Sequence, residues 1–278
     1  MRRLFSKQGL IAAAVLGFAA TAAVSLSMGW GLPVMAILWL QWLVFLLGLQ
    51  IYRVLMPLHA QVIDEHERTQ VRVLRQVQSL FQLHVDVTPR APLPLLGQYA
   101  ATPDLLATLV SLVKRKHPRV IVELGSGSST IVCGYALEST SQGKVISFDH
   151  EAQYAAETNA ALEVHGLSAI AAVQVAPLRE TRCGASTWSW YAMNLEELPL
   201  IDLLIVDGPP MTTGRLARYP ALPVLWSKLA PGAIIVVDDA ARPDETEMVR
   251  RWIKEFPGLR MESLPHEKGT VILHKPTE

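Results

Sequence analysis

The chain has 278 residues, of which 50% are hydrophobic, and its 25 Lys and Arg are balanced by 25 Asp and Glu. This length allows one sizeable hydrophobic core and little more. The balanced charge gives no reason to expect a nucleic acid as a partner. The two cysteines, Cys133 and Cys183, have neither metal-ligand spacing nor the pattern of a disulfide framework, and we expect both to be reduced.

The excess of apolar residues lies at the N-terminus. No residue between Lys7 and Arg53 carries a formal charge, and this stretch of about 45 residues is long enough for two membrane spans of about 20 residues each. The sequence Met-Gly-Trp-Gly-Leu-Pro at 28–33 interrupts it with glycines and a proline suited to begin a helix. The pattern predicts a two-helix transmembrane hairpin, with spans at about 8–27 and 33–51.

The charges that flank the two predicted spans indicate their orientation. Arg2, Arg3 and Lys7 precede the first span and Arg53 follows the second, whereas the turn between them has no Lys or Arg. Because positive residues stay on the cytoplasmic side, both termini and the following domain are expected there, in the cytoplasmic (inner) membrane. A cleaved signal peptide, with an apolar stretch at 11–23, is the alternative for the first segment.

The next segment is predicted to be a connector. Apolar residues recur near helical spacing over 58–83, which predicts a helix leaving the membrane. Its apolar stripe could pack on the following domain or on a second copy, so a homodimer is left open. Three prolines in 88–94 indicate a linker. The predicted domains are therefore 1–57, 58–94 and 95–278.

From Ala101 onward, short apolar runs alternate with helical patterns. Thr102 is the expected N-cap of the first helix, with Pro103 at its first position. Predicted strands lie at 120–124, 144–148, 173–175, 201–206 and 233–237, and a terminal antiparallel pair at 259–263 and 270–274. Predicted helices include 152–165, 219–229 and 245–255. This alternation predicts an α/β fold, a doubly wound and mostly parallel seven-stranded sheet.

Acidic residues lie at or beside the ends of four of the five predicted parallel strands. They are Glu123, Asp149, Asp207 and the pair Asp238 and Asp239. In an open α/β sheet, ligands bind outside the carboxyl ends of the strands. These side chains are therefore expected to line one site.

A glycine-containing turn follows the first of these strands. The sequence Glu-Leu-Gly-Ser-Gly-Ser-Ser-Thr runs from 123 to 130, and Gly125 and Gly127 allow a tight turn and a close approach to a ligand. A dinucleotide fingerprint would need a third glycine where Thr130 stands. A turn that binds no ligand is the simpler alternative. The Glu123 carboxylate suits a ligand that carries an amine.

This turn resembles the first motif of the class I S-adenosylmethionine-dependent methyltransferases, Asp/Glu-x-Gly-x-Gly-x-Gly. Glu123, Gly125 and Gly127 match it, Ser129 replaces the last glycine, and the similarity extends over about 98–275. The resemblance implies that S-adenosylmethionine is the cofactor and that residues of the turn bind it. The turn, namely Gly125, Ser126, Gly127 and Ser128, would line its methionine part, with Glu123 ordering the turn.

The same resemblance implies the rest of the cofactor site. Asp149 would accept hydrogen bonds from the ribose hydroxyls, and His150 would lie at the ribose corner. Pro177 and Leu178 would flank the adenine. Asp207 would lie near the sulfonium and the acceptor, and is the candidate catalytic residue.

A second resemblance is to metal-dependent, catechol-type O-methyltransferases. In those enzymes an Asp and an Asp-Asn pair at corresponding strand ends hold a divalent cation, and Asp207, Asp238 and Asp239 occupy similar places. The resemblance implies a Mg²⁺ site. The alternative is that these acids cap helices or pair with Arg215, Arg218 or Arg242.

The function that these features predict is methyl transfer to an oxygen of a small-molecule or membrane-associated acceptor, such as a lipid, quinone or lipid-linked glycan. Trp188, Trp190 and Tyr191 are expected to shape access for the acceptor or to pack a loop. Two alternatives stay open. One is a nicotinamide-dependent enzyme, and the other is a membrane-anchored scaffold that binds the cofactor without chemistry.

Overall fold

The computed structural model describes residues 7–29, 31–97, 100–184 and 186–277. The expected positive charges at Arg2 and Arg3, and Trp30 in the expected turn, lie outside these residues. The chain divides into two compact units, Met1–Val71 and Arg72–Glu278.

The first unit contains a pair of apolar helices, α1 (Lys7–Met28) and the beginning of α2 (Leu32–Asp86). The two pack together where Gly17 is buried, since a Cβ on Gly17 would lie 3.2 Å from the indole of Trp42. Among the described residues one helix, α2, is long and apolar enough to cross a membrane, with an 18-residue window of mean hydropathy 2.1. A shorter apolar segment, Ala14–Met28, lies in α1. The hairpin with two spans stays a prediction.

Helix α2 does not end after the apolar segment. It continues through Pro57 to Asp86 as one helix of 55 residues, where a span and a separate connector helix were expected. The connector sequence is rich in good helix formers and has no glycine after Gly48. The backbone therefore continues as helix, although Pro57 removes one hydrogen bond.

The second unit is built on a seven-stranded sheet. Its strands are β1 (Val120–Leu124), β2 (Lys144–Asp149), β3 (Ala171–Val175), β6 (Ile201–Val206), β7 (Leu229–Val237), β8 (Arg260–Leu264) and β9 (Thr270–His274). Their order is β3-β2-β1-β6-β7-β9-β8, parallel except for β9, which is antiparallel to both β7 and β8. This arrangement confirms the predicted sheet, including its terminal antiparallel pair.

Both faces of this sheet are covered, which is why its central strands are mostly apolar. In β1, Ile121 packs on one face, while Val122 and Leu124 pack on the other. The first face carries α3 (Pro103–Lys116), α4 (Ser128–Thr140) and α5 (Ala152–Val164). The second carries α6 (Ala221–Leu225) and α7 (Pro243–Glu255).

Three local features differ from the sequence predictions. A two-stranded antiparallel hairpin, β4 (Leu178–Cys183) and β5 (Ser186–Tyr191), follows β3 where no strands were expected. The helix expected at 219–229 is reduced to α6 and a 3₁₀ turn at Trp226–Lys228. Thr102 does not cap α3 with its side chain, because its hydroxyl donates to Asp104 Oδ1 at 2.5 Å.

Cys133 and Cys183 are free thiols, as expected.

Candidate active site

The carboxyl ends of three neighbouring strands meet at the point where the strand order reverses. The Asp207 amide donates to the Leu124 carbonyl at 3.0 Å, and the Gly125 amide donates to the Phe148 carbonyl at 2.8 Å. Chain order runs outward from β1 on both sides, through β2 to β3 and through β6 to β7. Such a switch point is where an open α/β sheet leaves a crevice for a ligand.

The predicted glycine turn connects β1 to α4 at this crevice. Gly125 has φ +113° and Gly127 has φ +140°, and L side chains rarely adopt such a backbone. A Cβ on Gly125 would lie 3.7 Å from Asp207, whereas a Cβ on Gly127 would meet nothing within 4 Å. The turn is therefore packed against β6 at its first glycine and open at its second.

Glu123 lies beneath the turn and is fully buried. Its carboxylate accepts hydrogen bonds from the hydroxyls of Ser129, Thr130 (2.5 Å) and Ser147 (2.6 Å). Burial raises the pKa of Glu123, and these three hydroxyls oppose that rise. The side chain thus ties the start of α4 to β1 and β2, which agrees with a role in ordering the turn. None of these hydroxyl partners was predicted, because they come together only through the fold.

Asp149, at the end of β2, faces the same turn. Its Oδ2 accepts a hydrogen bond from Ser126 Oγ at 2.6 Å, and its Oδ1 accepts one from the Glu151 amide at 3.0 Å. The predicted cofactor residues Ser126 and Asp149 are thus brought into direct contact.

The other predicted cofactor residues lie around this corner. His150 Nδ1 is 3.5 Å from Asp149 Oδ1, and the His150 ring lies edge-on to Tyr191 with 6.3 Å between ring centroids. Pro177 and Leu178 lead into β4, and the Pro177 carbonyl accepts a hydrogen bond from the Ala192 amide at 2.9 Å. At the start of α4, Ser128 Oγ is buried and has no hydrogen-bond partner among the described residues.

A cluster of acidic side chains follows β6 and β7. Asp207, Asp238 and Asp239 each place one carboxylate oxygen within 4.8 Å of the others. Asp238 and Asp239 are buried, whereas the Asp207 side chain is 22% exposed. The structure thus brings together the three residues that were predicted to hold a metal.

The Arg218 guanidinium lies within this cluster and is almost fully buried. Its Nη2 donates to Asp239 Oδ2 at 2.9 Å and to Asp207 Oδ1 at 3.3 Å, and its Nη1 donates to the Asp238 carbonyl at 3.0 Å. Arg242 forms a second ion pair with Asp239 at 2.8 Å. Of the three arginines considered from the sequence, Arg218 and Arg242 pair with these acids.

The carboxyls of the cluster have raised pKa values. Burial, followed by the neighbouring Asp238, raises the pKa of Asp207 well above its ordinary range, and Arg218 opposes the rise. Burial and the adjacent Asp239 raise the pKa of Asp238 to about 6. Both Asp238 carboxylate oxygens, and Asp239 Oδ1, have no hydrogen-bond partner among the described residues. Strongly perturbed carboxyls in a crevice are typical of a functional site.

The β4–β5 hairpin covers the side of this cluster. Tyr191 is buried, and its hydroxyl approaches Gly208 so closely that a Cβ there would collide with it. Trp188 stacks on Tyr219, with 4.8 Å between ring centroids. Tyr219 in turn donates its hydroxyl to Glu255. The predicted aromatic residues therefore form a packed wall.

This sheet order and crevice define the class I fold of the S-adenosylmethionine-dependent methyltransferases. Residues 122–240 match the family model described as a methyltransferase domain, and this segment extends from β1 through Asp239. The match agrees with the predicted resemblance to methyltransferases.

Solved structures with this fold include three methyltransferases. An SAH-bound methyltransferase from Podospora anserina is 14% identical and has a TM-score of 0.52, covering 76% of this chain and 94% of that one. A putative O-methyltransferase from Klebsiella pneumoniae is 19% identical with a TM-score of 0.49, covering 72% and 89%. The O-methyltransferase from Bacillus cereus in complex with SAH is 17% identical with a TM-score of 0.49, covering 72% and 91%. No curated protein sequence matches the chain significantly.

Proposed function

We propose that the chain is a membrane-anchored enzyme that transfers the methyl group of S-adenosylmethionine to an oxygen of its acceptor. The observation that carries the proposal is the meeting of an open glycine turn, Asp149 and Asp207 at one crevice of the sheet. The matched methyltransferase model covers all three.

The turn has features that fit the methionine part of the donor. The space at Gly127 admits another molecule close to the backbone, because no atom lies within 4 Å of the position a Cβ would take. Next to it, the unpartnered Ser128 Oγ is a buried group that needs a hydrogen-bond partner. Both lie at the N-terminus of α4, where free backbone amides favour a carboxylate.

The nucleoside part would be held one strand away. Among the described residues, each Asp149 oxygen accepts one hydrogen bond, with His150 Nδ1 a further 3.5 Å contact to Oδ1, and a carboxylate oxygen has capacity for a second hydrogen bond. Asp149 can therefore also accept from the ribose hydroxyls. His150, Pro177 and Leu178 border the same corner and would line the adenine.

The bound donor supplies a methyl group activated by a positive sulfur. The protein has to align the acceptor oxygen with that methyl group, and alignment of this kind can contribute roughly 7–11 kcal/mol. A bond forms between the acceptor oxygen and the methyl carbon while the bond from carbon to sulfur breaks, and its electron pair returns to sulfur. The acceptor hydroxyl must then lose its proton.

Asp207 is the carboxyl placed to take that proton. It is the member of the acidic cluster whose side chain reaches the surface of the crevice, since those of Asp238 and Asp239 are buried. It also lies close to the glycine turn, because a Cβ on Gly125 would be 3.7 Å from it. A raised pKa makes its carboxylate a stronger base than an ordinary aspartate.

The acceptor is proposed to be a molecule dissolved in the membrane or derived from it, such as a lipid, a quinone or a lipid-linked glycan. The support is the anchor, since confinement of an enzyme and its acceptor to one surface raises their effective concentration. For the anchor we propose two spans, with both termini on the cytoplasmic side.

The pairing of α1 with α2 supports this hairpin. Small residues recur along one side of α1 at buried or half-buried positions, namely Ala14, Gly17, Thr21 and Ser25. Small residues at this spacing let two membrane helices approach closely. At Gly17 the two helices approach closely, because a Cβ there would lie 3.2 Å from the Trp42 indole.

Calorimetry on the full-length chain in detergent tests the donor site. S-adenosylhomocysteine should bind with a stoichiometry of one, and NAD should not. Asp149→Ala should weaken the binding by about tenfold or more, because charge-assisted hydrogen bonds to the ribose contribute about 1.5–3 kcal/mol. The matched control is Glu151→Gln, an exposed neighbour, which should bind as the wild type does.

The outcomes separate the competing functions. Tight binding of NAD without binding of S-adenosylhomocysteine would indicate a nicotinamide-dependent enzyme. Binding of S-adenosylhomocysteine without transfer of a labelled methyl group into any fraction of a membrane extract would indicate a scaffold. An Asp149→Ala variant with unchanged affinity would mean that Asp149 is not the ribose ligand.

A further inference from the structure

The acidic cluster already contains a buried cation. Arg218 is 4% exposed, and one of its nitrogens, Nη2, donates to carboxylates from two different strand ends, Asp207 and Asp239. Its Nη1 donates to the Asp238 carbonyl at 3.0 Å, and its Nε lies 3.8 Å from Glu245. The guanidinium thus joins the loop after β6 to the loop after β7.

The loop after β7 is shaped by the same contacts. Asp239 has φ +58°, a left-handed conformation that a non-glycine residue adopts only where its surroundings hold it. Its Oδ2 accepts from both Arg218 Nη2 and Arg242 Nη1, at 2.9 and 2.8 Å. Two arginine side chains therefore bind the same oxygen of this carboxylate.

A divalent ion would compete with Arg218 for the same oxygens. Mg²⁺ bound to Asp207 and Asp239 needs an oxygen of each at about 2.0–2.1 Å. Arg218 Nη2 already contacts an oxygen of each, Asp207 Oδ1 at 3.3 Å and Asp239 Oδ2 at 2.9 Å. The ion would then lie against a buried positive charge, and water cannot screen their repulsion there.

We propose that Arg218 is the built-in cation of this site, taking the place of a divalent ion between Asp207 and Asp239, so that the protein needs no metal. For its catalytic consequence the inference rests on the proposed methyl transfer. Arg218 acts there as a positioning residue, because it contacts Asp207 and fixes the direction in which that carboxylate meets the acceptor.

Arginine suits this place for physical reasons. Its guanidinium stays charged in a buried site and its donors form a rigid fork, so that one side chain can bind two carboxylates and a carbonyl at once. Lysine is a point charge without a fixed fork and cannot hold the same set in one geometry. Arg218→Lys and Arg218→Ala therefore separate the charge from the geometry.

The first test is a titration of the wild-type, full-length chain in detergent with Mn²⁺, followed by electron paramagnetic resonance. We expect no stoichiometric Mn²⁺ site, and thermal stability unchanged by EDTA. Binding of one Mn²⁺ per chain that is lost in Asp239→Ala would overturn the proposal, since the unpaired oxygens of Asp238 and Asp239 would then be ligands. This result does not depend on methyl transfer, on a known acceptor or on the folding of any Arg218 variant.

The second test measures transfer of a tritiated methyl group from S-adenosylmethionine into a membrane extract. The wild type should keep its rate in EDTA. Arg218→Ala should lose at least a hundredfold in rate while S-adenosylhomocysteine binds within about threefold of wild type, and added guanidinium ion should restore part of the rate. The rate of the Arg218→Lys variant should lie between those of the wild type and Arg218→Ala. An Arg218→Ala chain that binds S-adenosylhomocysteine and transfers methyl groups at the wild-type rate would contradict the positioning role.

A matched control is available on α7. Arg250 forms an exposed ion pair with Glu247 at 2.7 Å, away from the strand ends. Arg250→Ala removes an arginine of the same type and should change neither Mn²⁺ binding nor the rate. If the wild type transfers no methyl group, the proposed function fails. The Mn²⁺ titration still shows whether the acidic cluster binds a metal ion.

Discussion

The carboxylates at the strand ends differ in what surrounds each of them, and those surroundings separate their roles. Glu123 is sealed under the turn by three hydroxyls. Asp149 lies at the edge of the crevice with hydrogen-bond capacity left over. Asp207 alone among the clustered acids has a side chain that reaches the crevice. These surroundings agree with the roles proposed for the three carboxylates: Glu123 orders the turn, Asp149 binds the ribose and Asp207 takes the proton.

The raised pKa of Asp238 leads to a prediction about pH. A carboxyl with a folded-state pKa of about 6, against an ordinary value of 3.8, keeps its proton longer in the folded chain than in the unfolded chain. The folded state therefore binds more protons between about pH 4 and pH 6, and this group lowers stability as pH rises through that window. The loss amounts to about 3 kcal/mol at 1.4 kcal/mol per pKa unit.

Asp238→Asn should remove this dependence. The difference in melting temperature between variant and wild type should grow in favour of the variant from pH 4 to pH 6 and then level off. Tryptophan fluorescence during thermal unfolding of the full-length chain in detergent measures it. A constant difference across this range would show that Asp238 has no raised pKa in the fold.

A close contact at Gly208 allows a double-mutant test of the hairpin wall. A Cβ on Gly208 would collide with the Tyr191 hydroxyl, so Gly208→Ala should destabilise the chain by about 1–3 kcal/mol, the usual cost of overpacking. Combining it with Tyr191→Phe, which removes that hydroxyl, should recover part of the loss. Chemical denaturation of the four chains gives the coupling energy. Additive effects would place the two groups out of contact.

At the scale of elements, the turn from β1 to α4 makes the sharpest prediction. Gly127 has φ +140° and ψ −137°, a region open to glycine alone, and faces empty space on its Cβ side. Gly127→Ala should therefore weaken binding of S-adenosylhomocysteine by at least tenfold, since it strains the turn and fills the space proposed for the donor. Calorimetry in detergent measures the affinity.

A second glycine provides a control that distinguishes backbone strain from a direct effect on the donor site. Gly184, in the turn of the β4–β5 hairpin, also has a positive φ, +61°, and no atom lies within 4 Å of the position its Cβ would take. Gly184→Ala should destabilise the chain by about 1 kcal/mol without changing the affinity for S-adenosylhomocysteine. Equal losses of affinity in both variants would mean that Gly127 acts through stability and not through the donor site.

The elements that could be predicted from sequence are those whose burial leaves a pattern. Strands β1, β6 and β7 are covered on both faces and are mostly apolar, with one acidic residue each in β1 and β6. The hairpin strand β4 was missed because it alternates half-buried Leu178 with exposed residues such as Arg179, and its short run resembles a polar loop. The helix expected at 219–229 has prolines at its start and middle, Pro220 and Pro223, and forms one short turn of α-helix instead.

The sequence predicted those features of the site that depend only on the order and direction of the strands. Parallel strands bring their carboxyl ends to one edge, so Asp149 and Asp207 could be placed there from sequence. Which partner each acid takes depends on contacts between distant segments. Arg218 meets Asp239 across 21 residues, and Ser147 meets Glu123 across 24. No periodicity in the chain marks such pairs.

At the scale of the whole molecule, one helix, α2, runs through the boundary between the two units. The end of α2 is tied into the second unit, where Gln76 Nε2 donates to Asp104 Oδ2 at 2.7 Å and Lys114 forms an ion pair with Asp86 at 2.8 Å. Leu83, on the same turn of helix, is buried in the core. The second unit therefore includes the end of α2.

The proposed hairpin predicts where single cysteines can be labelled. With Cys183→Ser removing the more accessible of the two native thiols, Ser27→Cys at the end of α1 should react with a membrane-impermeant maleimide in right-side-out vesicles. Thr277→Cys, at the other end of the chain, should react only after the vesicles are opened. The reason is that Lys7 and Arg53 flank the apolar segment while the turn has no Lys or Arg, and positive residues stay in the cytoplasm. Protection of Ser27→Cys, or an intact mass lacking the first helix, would replace the hairpin with a single span, and in the second case the first segment would be a cleaved signal peptide.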